Sequence, residues 1–280
     1  MTLRVGLTQL NCGDDPAANL PRTQRLIAQA ADQGAALVAT PEVTNIVSTS
    51  RSHQIDVLHQ EADDPTLQAL REQAKSLGIW LLIGSLALKT GDPDGRFANR
   101  SFLIDPNGAI TARYDKIHMF DVVVSETESY RESAGYRPGQ AACLAQTPFG
   151  ALGMTICYDM RFPALYRQLA QAGAGILTAP SAFSPVTGAA HWHSLLRARA
   201  IETGSFVIAP AQTGDHAISQ GRPRSTYGHS LVIDPWGRVL LDAGTEVGAY
   251  LVDLDLSLIE TTRGKIASLT HDRAYEMPQA

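Results

Sequence analysis

Hydrophobic and polar positions alternate along the first forty residues in a way that predicts a strand, a helix and a second strand. The run Leu3–Gln9 is short and mostly apolar, as expected of a strand. Apolar residues then recur at helical spacing (Leu20, Ile27, Ala30 and Ala31) and stop at Gly34, which predicts a helix that ends there. The apolar run 35–40 follows directly and predicts a buried strand.

The next eighty residues continue the alternation. Asp64 is a good N-cap residue and Pro65 suits the first helical position, so a second helix is predicted to begin there and to end at Gly78. The apolar run 79–88 predicts a buried strand. Residues 101–114 predict a hairpin, because Asp-Pro-Asn-Gly lies between two strand-like runs.

The second half of the chain repeats this order of segments. Three short stretches of the first half (5–8, 38–41 and 101–108) recur in the same order as 152–155, 177–180 and 230–237. Repeats in register predict two pseudo-symmetric β-α-β-α-β-β halves. Each half would form a sheet with helices on one face, and the two sheets would pack together as a four-layer α-β-β-α sandwich, an α/β fold. No linker separates the halves, so residues 1–280 are interpreted as a single domain.

Composition narrows the possible functions. The chain has 280 residues, of which 44% are hydrophobic and 18% charged, which is ordinary for a globular enzyme. A net charge of −5 without any basic run argues against a nucleic-acid partner. No apolar stretch reaches the roughly 18–20 residues needed to span a bilayer, so no membrane partner is expected. Three scattered cysteines and no recognisable secretory signal favour the reducing cytoplasm.

Cys157 is the strongest candidate for a nucleophile. It follows an apolar strand and precedes a helix that begins near Pro163, so its thiol is exposed at a strand end beside backbone N–H groups. A helix start is also expected to lower the pKa of the thiol. The alternative is a small buried core residue, which is the interpretation kept for Cys12 and Cys143.

Glu42 and Lys116 are candidates for acid–base and electrostatic roles. Glu42 directly follows the apolar run 35–40, where burial would raise the pKa of its carboxyl and make it a base; the alternative is a solvated charge. Lys116 follows the predicted hairpin and could stabilise an oxyanion, although a lysine there is usually solvated. His118 offers a competing base for Cys157, so Cys–His and Cys–Glu mechanisms both remain open.

Signals for cofactors and metals are weak. The helix predicted over 191–203 carries His191 and His193, but two residues apart on a helix cannot share a face, so the pair is a poor metal site. Glu132 alone would be interpreted as a surface charge. The sequence contains no phosphate-binding glycine loop, no H-E-x-x-H and no pair of C-x-x-C motifs, and no cofactor or metal is expected.

Taken together, three segments resemble the catalytic signatures of the carbon–nitrogen hydrolase (nitrilase-like) family in order and approximate spacing: Pro41-Glu42, Tyr114–His118 and Gly153–Pro163. Further segments resemble the Nit-type amidase branch (178–183, 187–192, 195–202 and 227–230). Two features depart from that branch. His193 stands where Nit-type sequences usually carry Glu. The polar loop 215–223 matches no part of the pattern, and its composition suits a binding loop at the pocket mouth.

The resemblance implies a role for each matching residue. Cys157 would be the nucleophile and Glu42 the general base, while Lys116 and the backbone N–H of Tyr158 would hold the oxyanion. Glu132 would correspond to the second glutamate of the family, which orients the lysine. The resemblance also implies an acyl pocket in which Arg161 could bind a substrate carboxylate; its residues would be Arg161, Phe183 and Thr187.

The implied activity is hydrolysis of a small-molecule amide through a thioester. The best-matching substrate is deaminated glutathione, which would release 2-oxoglutarate and cysteinylglycine. The alternatives are an ω-amidase acting on 2-oxoglutaramate, a broader aliphatic amidase, and a catalytically idle Nit-type binding protein. The intact set of Glu42, Lys116, Glu132 and Cys157 argues against the idle protein. The resemblance also implies a homodimer or a higher homo-oligomer.

Overall fold

The structure is a computed structural model that describes residues 1–124 and 129–277. The helices in chain order are α1 (Pro16–Asp32), α2 (Arg51–Val57), α3 (Pro65–Leu77), α4 (Pro163–Gln171), α5 (Pro185–Thr203) and α6 (Ser257–Lys265). The strands are β1 (Thr2–Gln9), β2 (Leu37–Ala39), β3 (Trp80–Lys89), β4 (Phe97–Ile104), β5 (Ile110–Asp115), β6 (Asp121–Val123), β7 (Ser129–Arg131), β8 (Cys143–Thr147), β9 (Gly150–Met154), β10 (Ile176–Thr178), β11 (Phe206–Ala209), β12 (Thr213–Asp215), β13 (Ser225–Tyr227), β14 (Leu231–Ile233), β15 (Val239–Asp242) and β16 (Gly248–Asp255).

Two six-stranded sheets share one topology. The first has the order β16-β1-β2-β3-β4-β5 and the second β8-β9-β10-β11-β14-β15. In each sheet the second, third and fourth strands are parallel, and the outer strands run antiparallel to their neighbours. Since every strand of one sheet has a counterpart in the other, the predicted pseudo-symmetry is confirmed, although each sheet has six strands and the predicted β-α-β-α-β-β half has four.

The alternation of side chains along the strands explains the layers. In the first sheet Leu82 and Leu103 point to a core shared with the second sheet, whereas their neighbours Leu81 and Phe102 pack in a separate cluster with α1 and α3. Side chains from α4 and α5, including Trp192, cover the second sheet and join its core. The result is the predicted α-β-β-α sandwich, because each sheet buries one face on helices and the other on its partner sheet.

Local signals predicted the element ends well. Asp64 caps α3, since its Oδ1 accepts from the N–H of Leu67 at 2.8 Å. Gly78 ends the helix in the left-handed conformation with a φ of 65°. The predicted hairpin is β4–β5. α1 ends at Asp32, two residues before Gly34.

Within the described ranges, no helix has the length and apolar character needed to cross a membrane.

Candidate active site

The loop after β2 holds Glu42 against an irregularity in β3. The register of β3 shifts between Ile83 and Leu86, and Ser85 in this bulge accepts from the N–H of Thr44 at 2.9 Å and donates to the carbonyl of Pro41 at 3.2 Å. Gly84 allows the close approach, because a Cβ there would lie 2.0 Å from the carbonyl oxygen of Thr40. Glu42 is thereby fixed at the edge of the sheet with only 4% of its surface exposed.

Cys157 lies on a strained turn between β9 and α4, as the strand–turn–helix pattern predicted. It begins a short 3₁₀ helix, Cys157–Arg161, and has a φ of 48°, which is unusual for a residue with a side chain. The buried carboxylate of Asp159 holds the turn by accepting from the N–H of Ile156 at 2.9 Å and from the hydroxyl of Tyr114 at 2.7 Å. Backbone strain of this kind is characteristic of functional sites.

Lys116 joins two carboxylates. Its Nζ lies 2.8 Å from Oε1 of Glu42 and 2.9 Å from Oε1 of Glu132, and it is 2% exposed. Glu132 begins a 3₁₀ helix after β7, and its Oε2 accepts from the N–H of Phe120 at 2.7 Å. Glu132 is therefore not the plain surface charge that its local sequence suggested, because the fold brings it against a buried ammonium group.

The pKa directions differ from those expected from sequence. Burial would raise the pKa of Glu42, but the charge of Lys116 and the hydrogen bonds from Lys116, Ala182 and the thiol of Cys157 hold it below its ordinary value. Burial and the neighbouring Glu42 raise the pKa of Cys157 instead of lowering it. Burial would lower the pKa of Lys116, but Glu132 and Glu42 keep it well above 10.5. At neutral pH the site therefore contains a carboxylate, an ammonium group and a thiol.

Asn99 belongs to the site, and the sequence analysis missed it. Its Nδ2 donates to Oε1 of Glu42 at 2.9 Å and lies 3.4 Å from Oε1 of Glu132. The other oxygen of Glu42, Oε2, accepts from the backbone N–H of Ala182 at 2.8 Å. No distinctive signal for Asn99 is present in the sequence, because it is one of three consecutive polar residues in β4 (99–101), and only the structure shows that it is 2% exposed.

A cavity of about 290 Å³ opens onto these groups. It is lined by most of the residues predicted from sequence: Glu42, Lys116, Glu132, Cys157, Tyr158, Phe183 and Thr187. Phe183 and Thr187 lie at the start of α5, whose buried residues fix that wall of the cavity. The predicted catalytic residues and two of the three predicted pocket residues thus meet in one place.

Arg161 is the exception among the predicted pocket residues. Its guanidinium lies 5.5 Å from the ring centre of Phe183 and 6.0 Å from that of Tyr158, and its Nη2 is 3.3 Å from Nδ1 of His191. It is not among the described residues that line the cavity. The contact between Arg161 and a substrate carboxylate stays a prediction, and in this structure the guanidinium packs beside two aromatic residues that line the cavity.

His118 is also separated from the nucleophile. Its Nδ1 lies 2.7 Å from Oδ1 of Asp159, and its ring stacks on Phe162 with centroids 3.5 Å apart. The described lining of the cavity does not include it. Glu42 lines the cavity together with Cys157 and its charge raises the pKa of the thiol, so the arrangement favours the Cys–Glu pair over Cys–His.

One cluster of possible metal ligands lies elsewhere. Asp242 accepts through Oδ2 from His193 at 2.9 Å and through Oδ1 from His229 at 2.8 Å. These ligand atoms lie within 4.8 Å of one another and could hold a metal ion. None of the three residues is among the described cavity-lining residues. His193, the departure from the Nit-type pattern, therefore contacts Asp242 and not the candidate active site.

Comparison with known proteins identifies the family. A family model described as carbon-nitrogen hydrolase matches residues 4–264. The chain belongs to the carbon–nitrogen hydrolase family. Deaminated glutathione amidase from Yersinia enterocolitica is 39% identical over 270 residues, covering 96% of this chain and 92% of the relative.

Solved structures agree with this assignment. The crystal structure of the Caenorhabditis elegans NitFhit protein matches with a TM-score of 0.89 and 34% identity, covering 97% of this chain and 65% of that one. Saccharomyces cerevisiae Nit3, a member of branch 10 of the nitrilase superfamily, matches with a TM-score of 0.83 and 30% identity over 98% of this chain and 97% of that one. This carbon–nitrogen hydrolase is thus a nitrilase-like amidase that hydrolyses carbon–nitrogen bonds other than peptide bonds.

Proposed function

We propose that this amidase uses Cys157 as its nucleophile and Glu42 as its general base. The observation that carries the proposal is the position of Glu42, whose charge raises the pKa of the Cys157 thiol and whose carboxylate binds the ammonium group of Lys116 in the same cavity. Because the pKa of the thiol is raised, the reactive thiolate forms only as its proton passes to Glu42. A base already in contact with the thiol makes that transfer direct.

The first half of the reaction acylates the enzyme. The sulfur of Cys157 attacks the amide carbon while its proton moves to Glu42, and the carbonyl oxygen becomes an oxyanion. Lys116 and the backbone N–H of Tyr158 stabilise this oxyanion; Tyr158 is the second residue of a 3₁₀ helix, whose first N–H groups have no partners within the helix. Glu42 then returns the proton to the leaving nitrogen, the carbon–nitrogen bond breaks, and a thioester remains.

The second half hydrolyses the thioester. Glu42 takes a proton from water, the resulting hydroxide attacks the thioester carbon, and a second oxyanion forms in the same position. The carbon–sulfur bond breaks, and the sulfur recovers its proton from Glu42. Glu132 and Asn99 do not touch the reacting atoms in this scheme. They hold Lys116 and Glu42 in place, as their hydrogen bonds indicate.

The substrate that we propose is deaminated glutathione, an amide between 2-oxoglutarate and cysteinylglycine. The Yersinia relative carries that name, and its similarity extends over nearly the full length of both chains. An acyl pocket walled by Phe183 and Thr187 suits a small acid. The same pocket would accept 2-oxoglutaramate, which has the same acyl half but ammonia as its leaving group.

The test measures 2-oxoglutarate release from both amides under the same conditions. The wild-type enzyme should have the higher kcat/KM for deaminated glutathione, and Cys157→Ala should abolish release from either amide. Cys143→Ala is the matched control, since Cys143 lies half-buried beside Met154 and outside the described cavity lining. Near-native activity of Cys157→Ala would refute the nucleophile. Release from 2-oxoglutaramate alone would refute the proposed substrate.

We also propose that the enzyme works in the cytoplasm as a homodimer. All three cysteines are free thiols, and the cytoplasm keeps thiols reduced. The homodimer follows from the resemblance to Nit-type amidases noted in the sequence.

A further inference from the structure

The mouth of the cavity is rich in arginine. Arg51, Arg131, Arg222 and Arg224 all line it. Among the lining residues that the structure describes, the carboxylates are Glu42 and Glu132, and both are bound to Lys116. The charge that the described lining residues offer to an incoming ligand at the mouth is therefore positive, although the chain as a whole carries a net charge of −5.

Three of these arginines already have partners. Arg51 donates to the carbonyl oxygens of Gly135 and Gly95 at 2.9 and 2.8 Å. Arg224 donates to the carbonyl of Ala182 at 3.0 Å. Arg131 lies opposite Asp121 in the register of β6 and β7, and its charge helps to lower the pKa of that carboxyl.

Arg222 differs from the other three. It is exposed, and across residues 1–124 and 129–277 its guanidinium makes no hydrogen bond or ion pair. Unlike Arg51 and Arg224, it therefore has all its side-chain donors available to a ligand, and unlike Arg131 it has no carboxylate opposite it in a strand pair.

The backbone around Arg222 is nevertheless well anchored. The N–H of Arg222 donates to Oγ1 of Thr49 at 2.7 Å, and that hydroxyl donates to the carbonyl of Arg222 at 2.8 Å. Three residues earlier, the N–H and hydroxyl of Ser219 both donate to Oδ2 of Asp14, at 2.6 and 2.7 Å. The loop thus presents an unpaired guanidinium from a fixed position, which reduces the entropy lost when a ligand binds.

We propose that Arg222 forms a carboxylate subsite that binds the amine half of the substrate. The inference rests on the proposed function. Cys157 is buried at the floor of the cavity, so the acyl half lies inside while the leaving amine extends toward solvent, where Arg222 is exposed. A guanidinium binds a carboxylate through two parallel hydrogen bonds. The favoured substrates are therefore N-substituted amides whose amine half carries a carboxylate, such as a dipeptide.

The test removes the charge from each side of the contact in turn. Wild-type enzyme and Arg222→Ala are assayed with deaminated glutathione and with its C-terminal carboxamide. Arg222→Ala should lower kcat/KM for the acid roughly 10- to 100-fold, mainly through KM, as expected for loss of one charge-assisted contact. For the carboxamide, the kcat/KM of the wild-type enzyme should be about as low as that of Arg222→Ala for the acid. Arg222→Ala should not lower kcat/KM for the carboxamide any further, since the two changes remove the same contact.

Three further variants test whether the loss in kcat/KM comes from the guanidinium of Arg222. Arg222→Lys should recover part of the loss, because the charge returns without the bidentate geometry. Arg224→Ala should weaken hydrolysis of 2-oxoglutaramate as well, since Arg224 holds the Ala182 peptide that binds Glu42. Arg25→Ala, which changes an exposed arginine of α1 outside the described cavity lining, should match wild type.

The outcomes distinguish failure of the proposed subsite from failure of the proposed substrate. If the wild-type enzyme hydrolyses deaminated glutathione but Arg222→Ala lowers kcat/KM equally for the acid and its carboxamide, or for neither, the subsite is refuted and the proposed function stands. If the wild-type enzyme hydrolyses 2-oxoglutaramate but not deaminated glutathione, the proposed substrate is refuted and the subsite with it.

Discussion

At the scale of single residues, Glu42 depends on partners that lie far from it in the chain. Lys116, Asn99 and the N–H of Ala182 all donate to its carboxylate. These contacts stabilise the charged form, so that the pKa of Glu42 is lowered in spite of its burial. Glu42 is consequently a weak base in the resting enzyme. Its contact with the thiol, and not an elevated pKa, suits it for proton transfer.

Replacing Glu42 should be far more damaging than replacing His118. Glu42→Gln keeps the shape of the side chain but removes the proton acceptor, so kcat/KM should fall by at least about 10²- to 10⁴-fold, the usual contribution of a positioned acid–base group. His118→Asn should cost less than about tenfold, because His118 contacts Asp159 and not Cys157. Steady-state release of 2-oxoglutarate measures both. The opposite ranking would favour the Cys–His mechanism.

The pH dependence of kcat/KM provides a second residue-scale prediction. Activity requires ionised Glu42, whose pKa lies below 4.5, so kcat/KM should rise with pH through that acidic range and then stay level. Lys116 keeps its proton because its pKa lies well above 10.5, so loss of that proton should not reduce activity below about pH 10. Profiles recorded between about pH 3 and 10 check this. An inflection near 6.5, the ordinary pKa of histidine, would contradict a Cys–Glu pair.

At the scale of elements, the bulge in β3 positions the general base. The loop Thr40–Thr44 lies against Gly84 and Ser85. Its backbone forms hydrogen bonds with Ser85, which belongs to the bulge. A side chain at position 84 has no space, since its Cβ would lie within 2.5 Å of two carbonyl oxygens. An irregularity that weakens the sheet is thus retained where Glu42 needs support.

Gly84→Ala should therefore destabilise the protein and impair catalysis together. Overpacking of this kind typically lowers the free energy of unfolding by about 1–3 kcal/mol, and displacement of the loop should reduce kcat as well. Gly264→Ala in α6 is the control, because no atom lies within 4 Å of its added Cβ; it should be neutral or stabilise by up to about 1 kcal/mol. Urea denaturation and kcat measurements on both variants check the prediction. If Gly84→Ala and Gly264→Ala had the same free energy of unfolding and the same kcat, β3 would tolerate a side chain at position 84.

At the scale of the whole molecule, the active site combines the two halves and their connection. Glu42 and Lys116 follow strands of the first sheet, Cys157 follows β9 of the second, and Glu132 lies in the connecting segment. Neither half contains the complete set. The face-to-face packing of the sheets is therefore what assembles the catalytic groups, since it brings the ends of β2 and β9 to one cavity.

The proposed homodimer is a prediction at this same scale. Light scattering coupled to size-exclusion chromatography should give a mass of twice 30.1 kDa at micromolar concentration. The mass should not change with salt concentration if the interface is largely apolar, because surface ion pairs are screened whereas hydrophobic contacts are not. A mass of 30.1 kDa under these conditions would contradict the prediction.

The sequence by itself determined the alternating strands and helices of the two sheets' centres and the repeat of two halves, but not short or edge elements such as α2, β8 and β16. Caps such as Asp64, turn residues such as Gly108 and the period of apolar positions act over a few residues, and local interactions of that range can be interpreted without the fold. The motifs around Glu42, Lys116 and Cys157 were equally visible, because each is contiguous in the chain.

Only the tertiary structure decided which groups meet and in what charge state. Asn99, Lys116 and Ala182 are 57, 74 and 140 residues from Glu42 in sequence, and it is their contacts that lower its pKa. The position of Arg161 over the ring of Phe183 depends likewise on the packing of distant segments. Electrostatic energies depend on distances through space and on burial, and neither quantity is encoded in a local pattern of residues.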